Sequence, residues 1–220
     1  MKRILFIVVV MLALTTSACN SLVKVPFSSP KTGPTETFAI DEPRLTGSVS
    51  ANVTLALAPG TATLALAGGA SSLTEGTITS NVPDWKPILT TSATALRITQ
   101  RSPDSAIVSA PNDAINQWDL KLGDQAQNVQ IECPAGNFTL TFADTLPNEV
   151  HITVEMGAGN LRLAVPAGVA ARVEVHRGPS SVSTEGAWTA SGNTYATSDT
   201  GPTWTIQVDI GVGNLTLVSL

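Results

Sequence analysis

The sequence predicts an all-β protein, with short strands stacked as a rack or β-solenoid-like single domain. Three observations carry that expectation. Apolar residues recur with period two from about Ser48 to the C-terminus. Gly, Pro or Asn interrupts almost every stretch long enough for three helical turns. A unit of the form small-Gly-Asn-apolar-polar-Leu occurs at Ala135–Leu140, Ala158–Leu163 and Val212–Leu217, each time after an alternating strand.

Composition narrows the class further. Charged residues make up 13% of the 220 residues and the net charge is −5. Lys and Arg total 12 and adjoin one another only at Lys2-Arg3. Binding nucleic acid needs a basic face to neutralise phosphates, and none is present, so nucleic acid is not expected as a partner. The apolar share of 43% is too low for a multispan membrane protein.

The elements follow in chain order. Lys2 and Arg3 precede Ile4–Leu14, an uninterrupted apolar run of 11 residues. A spanning helix needs about 20, so the run suits the core of a secretion signal. Residues 1–18 are read as that signal. Thr15-Thr16-Ser17-Ala18-Cys19 resembles the bacterial lipobox. The resemblance implies cleavage before Cys19 and acylation of its thiol, with palmitate among the attached chains, on the extracytoplasmic face of the cell membrane or outer membrane. Residues 19–41 read as the lipidated cysteine and a spacer, because Pro26, Pro30 and Pro34 with intervening Ser, Thr and Lys favour an extended chain. Residues 42–220 then form the β domain, with an N-terminal part at about 45–102 and a repeat-bearing part at about 113–220.

Within that domain, Val49, Ala51, Val53, Leu55 and Leu57 alternate with polar or small residues up to Pro59-Gly60. Ala62, Leu64 and Leu66 then alternate up to Gly68-Gly69. Two strands joined by a tight turn predict a hairpin. The same alternation marks strands at Leu96–Ile98, Trp118–Leu122, Val129–Cys133, Phe138–Phe142, Val150–Met156, Leu161–Val165, Val173–Val175, Trp204–Ile210 and Leu215–Leu217. Ser109–Gln117 is the one stretch open to helix, but it contains Pro111 and lacks an apolar stripe. The repeat units are separated by 23 and 54 residues, which excludes a strict solenoid and fits stacked strand-turn-strand units with insertions. Gly and Asn tolerate positive φ, so each unit marks a turn or corner. The first strands, around Val49–Leu57, and the last, around Leu215–Leu217, are expected near opposite ends of the stack.

Leu73-Thr74-Glu75-Gly76, Val82-Pro83-Asp84-Trp85-Lys86-Pro87 and Leu96-Arg97-Ile98-Thr99-Gln100 together resemble the bacterial toast-rack N-terminal domain. Met156–Asn160 and Gly211–Asn214 are similar to the repeated segments of that family and of related adhesin and LiaF-type cell-wall stress proteins. The resemblance spans roughly Ser48–Leu220. It implies a rack of short strands on the cell envelope and supplies no catalytic residue. LiaF-type proteins usually carry membrane helices ahead of the β domain, where this chain has the lipobox.

A search for chemistry finds little. His151 and His176 are the only histidines, and both are out of phase with the apolar set of their strands. Cys133 alternates in phase with Val129 and Ile131, which reads as a buried thiol. After Cys19 it is the only cysteine, so the mature chain can form no intrachain disulfide. No Gly-x-Ser-x-Gly elbow, phosphate loop or calcium nonapeptide occurs. No cofactor or metal is expected. Trp118 and Trp204 fall in phase with core positions. Trp85 and Trp188 are candidate ligand-stacking aromatics, of the kind that pack on sugar rings. The expected function is a lipid-anchored, non-catalytic envelope module that binds a cell-wall polymer or an envelope protein. The alternative is a structural or stress-response component acting with a membrane partner. An envelope hydrolase ranks third.

Overall fold

The computed structural model describes residues 31–47, 50–66, 71–100, 113–143, 149–177 and 180–220. The signal segment, Cys19, the spacer up to Pro30, Val49, Gly68-Gly69 and Ser109–Asn112 lie outside the described residues. The strands are β1 (Glu36–Pro43), β2 (Ala51–Ala56), β3 (Gly60–Leu66), β4 (Ser72–Ser80) and β5 (Pro87–Thr91). Next come β6 (Ala95–Gln100), β7 (Asn116–Leu122), β8 (Ala126–Ala143), β9 (Val150–Val165) and β10 (Ala170–Arg177). The chain ends with β11 (Ser180–Glu185), β12 (Trp188–Ser191), β13 (Thr194–Thr197) and β14 (Thr203–Ser219). A 3-10 turn at Pro83–Trp85 is the only helical element among the described residues. The all-β stack is therefore what forms.

Strands β8, β9 and β14 are 18, 16 and 17 residues long. They run parallel and in register, with Gly136 opposite Gly159 and Gly159 opposite Gly213. Each has two arms that meet at a Gly-Asn unit. Burial alternates within each arm and changes phase at the corner, so both arms turn their apolar residues inward. The first arms join a layer in the order β5-β6-β2-β8-β9-β14-β10-β13-β12. The second arms join a layer in the order β1-β4-β7-β3-β8-β9-β14-β11. One core lies between the layers. It includes Ile131, Val154 and Val208 from first arms and Leu140, Leu163 and Leu217 from second arms. Phe142, late in a second arm, meets Trp204, early in a first arm, edge to face at 5.7 Å and 89°.

The corner is made by backbone contact. Gly136, Gly159 and Gly213 have φ of +133°, +129° and +143°. A Cβ on Gly159 would lie 1.8 Å from the Gly136 carbonyl oxygen, and one on Gly213 would lie 1.7 Å from that of Gly159. A Cβ on Gly136 would lie 2.7 Å from the Pro59 ring, which closes the column. Beside it runs an amide ladder, in which Asn160 donates to Asn137 and Asn214 donates to Asn160, both at 2.7 Å.

Several expectations change. β2 and β3 do not form a hairpin. β2 pairs in parallel with the first arm of β8, and β3 pairs in parallel with the second arm. Together they act as a fourth bent strand with Pro59-Gly60 at its corner. Alternation around a turn marks a change of direction but not its size, and the partner that decides it lies far along the chain. Glu36–Asp41, read as spacer, are paired strand, since β1 joins β4 and buries Ile40. Neither the β2–β3 pair nor β14 lies at an end, because β6, β7, β10 and β11 flank them; the edges are β5 and β1 on one side and β12 and β11 on the other. The stretch between the second and third units holds four complete strands, β10–β13. Asn116 and Gln117, at the end of the stretch left open to helix, begin β7.

A buried polar hub ties the N-terminal strands together. The Gln100 side-chain oxygen accepts from the Ala58 amide, the Asn116 amide group and the Trp118 indole, each at 3.0 Å. Its nitrogen donates to the Trp85 carbonyl at 2.9 Å and to Asn116 at 2.7 Å. Asn116 also donates to the Ala58 carbonyl at 2.8 Å. Gln100 and Asn116 are buried. The hub thus joins the end of β6, the start of β7, the β2–β3 corner and the 3-10 turn.

Two predictions follow from these contacts. Gly159→Ala should destabilise by well over the ~1–3 kcal/mol of a strained backbone alone, because the new methyl strikes a carbonyl. Gly168→Ala, at φ +79° with nothing within 4 Å, should cost only that strain. Urea unfolding of the two variants checks the contrast. Gln100→Leu should cost about 3 kcal/mol or more, since it orphans several buried donors and acceptors at roughly 1–3 kcal/mol each. Thermal unfolding measures that loss.

Candidate functional site

Because the first arms are in register, residues at one height form rows across the sheet. One outward row reads Thr99, Ala56, Glu132, Glu155, Asp209, His176 on β6, β2, β8, β9, β14 and β10. Adjacent strands lie about 4.8 Å apart. Three carboxylates therefore stand side by side. Like charges directly opposite one another destabilise a sheet.

The next row away from the corner supplies compensation. Arg97 grips Glu132 with two parallel hydrogen bonds of 3.0 and 2.6 Å. That hydrogen bonding raises the Arg97 pKa against the opposing effect of burial, so its charge is permanent. Gln130 donates to Glu155 at 3.2 Å and Gln207 to Asp209 at 2.8 Å. Among the described residues no Lys or Arg pairs with Glu155 or Asp209. The His176 ring lies 3.9 Å from Asp209.

Beside this row, toward the corner, runs a groove of about 890 Å³. Pro134, Gly157 and Gly211 form its exposed floor over the buried side chains of Leu57, Met156 and Ile210, and Glu132, Glu155 and Asp209 edge it together with Arg97 and His176. A smaller polar hollow of about 320 Å³ adjoins it, lined by Asn52, Asn128, His151 and neighbours and sharing Glu155.

The residues singled out from sequence sit elsewhere or differently. Trp85 is 1% exposed and packs with Ala58 and Val82. A ring with no exposed face cannot stack on a ligand, which corrects the expectation for Trp85. Trp188 lies half-buried on edge strand β12, against the core. Trp118 and Trp204 are core residues. Cys133 is 1% exposed, and burial pushes its thiol pKa well above the usual range. His151 and His176 are exposed, and the register places His151 opposite Asn128, on the face opposite to Cys133. The thiol has neither the ionisation nor the adjacent base that a nucleophile needs.

Arg97, Glu132, Glu155 and Asp209 were not among the sequence candidates. A signal for the acids was present. Each lies four residues before its corner glycine, in Glu132-Cys133-Pro134-Ala135-Gly136, Glu155-Met156-Gly157-Ala158-Gly159 and Asp209-Ile210-Gly211-Val212-Gly213. Extending the repeat unit backwards would have aligned all three. Ala56 holds the same place before Gly60.

A search of curated proteins finds no match to this chain. A solved structure described as a putative cell adhesion protein from Clostridium sporogenes ATCC 15579 shares its fold. The TM-score is 0.57 at 18% identity, over 87% of this chain and 100% of that one. The family model described as the N-terminal domain of toast_rack, DUF2154, matches residues 29–182, which include every strand from β1 to β10. By that match, and with the Trp85 and Gln100 segments meeting in the buried hub, the chain belongs to the toast-rack family.

Proposed function

We propose that this chain is a lipid-anchored, extracytoplasmic, non-catalytic module of the cell envelope that binds a polymer or protein partner. The observation that carries the reading is the outward face of the first arms. Six strands in register present a continuous polar surface with a groove, and the Cys133 thiol is buried beneath it. Membership of the toast-rack family and the fold shared with a protein described as a putative cell adhesion protein support the same reading. Anchoring rests on Cys19 and the apolar run before it. Two or three acyl chains hold a protein to a bilayer, since each buried CH₂ contributes about 0.8 kcal/mol.

Three measurements test this. Cys19→Ser should abolish incorporation of labelled palmitate and release the chain from the membrane fraction. Persistent label or globomycin-insensitive processing would refute the anchor. In the folded Cys19→Ser protein, Cys133 should stay unreactive to iodoacetamide at about pH 8.5, the ordinary thiol pKa, and label once urea unfolds the chain. Fast native labelling would reopen a catalytic thiol. Pull-down on cell-wall glycan and on solubilised envelope proteins should enrich a partner over a scrambled-sequence control, and enrichment of neither would count against a binding role.

A further inference from the structure

We propose that the groove beside the Glu132–Glu155–Asp209 row binds an extended, lysine-bearing peptide segment of a protein partner. The inference rests on the binding-module reading above and names the chemistry of the partner.

Charge selects the occupant. Glu132 is paired with Arg97; among the described residues Glu155 and Asp209 accept hydrogen bonds from the neutral amides of Gln130 and Gln207, and the His176 ring lies 3.9 Å from Asp209. Two carboxylates thus stand at the groove with no Lys or Arg partner among the described residues. An anionic polymer is repelled there. A neutral glycan finds no Trp, Tyr or Phe among the lining residues to stack on. A lysine side chain satisfies both halves of the site. Its methylenes lie along Pro134 and the exposed Gly157 and Gly211 backbone, while its ammonium reaches the carboxylates.

Geometry selects an extended chain. The acids repeat at about 4.8 Å across the strands, so the three span about 10 Å. An extended peptide presents side chains to one side about every 6.8 Å. Two lysines at i and i+2 therefore lie over the three acids when the peptide runs across the strands. The six-strand row is about 24 Å long, which accommodates roughly seven extended residues. The contact is made by side chains and leaves the edge strands free.

The test uses the full-length protein in detergent micelles and a fluorescein-labelled decapeptide of alternating Lys and Val, read by anisotropy. A decapeptide of alternating Glu and Val and a glucosamine oligomer serve as comparison probes. The expected result is saturable binding of the Lys probe that weakens with salt, and no binding of the Glu probe. Glu155→Gln/Asp209→Asn should weaken the Lys probe about three- to tenfold, as for the loss of two exposed charge pairs. Glu149→Gln/Asp199→Asn, which removes the same net charge at exposed positions elsewhere, should leave it unchanged. Equal weakening by both double variants overturns the groove, as does tighter binding of the glucosamine oligomer. An envelope partner retained equally by Glu155→Gln/Asp209→Asn in pull-down overturns the groove but leaves the module reading standing. The absence of any envelope partner sinks the module reading itself.

Discussion

Backbone touching backbone at the corner column is the constraint on which the rest depends. With a carbonyl oxygen under 2 Å from where a Cβ would sit, neither Gly159 nor Gly213 can accept a side chain. The approach pins adjacent strands in one register, because any slip would put a substituted residue against a carbonyl. A one-residue slip would also turn each apolar set outward. Tight stacking at the corner therefore specifies which residues fill the core, and the amide ladder of Asn137, Asn160 and Asn214 satisfies the exposed side of the same bend.

The family signature acts through a second constraint. Pro83-Asp84-Trp85-Lys86-Pro87 places a ring in a small apolar cluster and offers the Trp85 carbonyl to Gln100. Gln100 then satisfies the Ala58 backbone amide at the β2–β3 bend, where the chain leaves regular pairing. Buried polar groups are costly when unpaired, and this side chain resolves several at once. The signature thus serves to join the N-terminal strands to the stack.

The groove inherits its form from the corner. The same register that stacks the glycines brings together acids four residues before each of them, on strands far apart in sequence. Their mutual repulsion opposes folding, and Arg97, Gln130 and Gln207 each offset part of it. This row, which costs stability on an exposed face, is the feature on which the proposed binding role rests. Cys133 lies buried just beneath it, and burial pushes its thiol pKa up.

The amino-acid sequence by itself determined the class, the inward set of side chains and the corners. Period-two alternation and the Gly-Asn units are local properties, and Trp118, Cys133 and Trp204 could be assigned inward from phase alone. Only tertiary structure decided pairing. Whether Pro59-Gly60 closed a hairpin or bent a strand depended on β8, and whether Glu36–Asp41 was tether or strand depended on β4. It also decided that Trp85 faces inward, since its burial comes from Ala58, Val82 and the hub, not from a strand of its own. The acid row was half legible: its spacing from each corner glycine is written in the chain, but its meaning arises only when parallel stacking places the three units side by side.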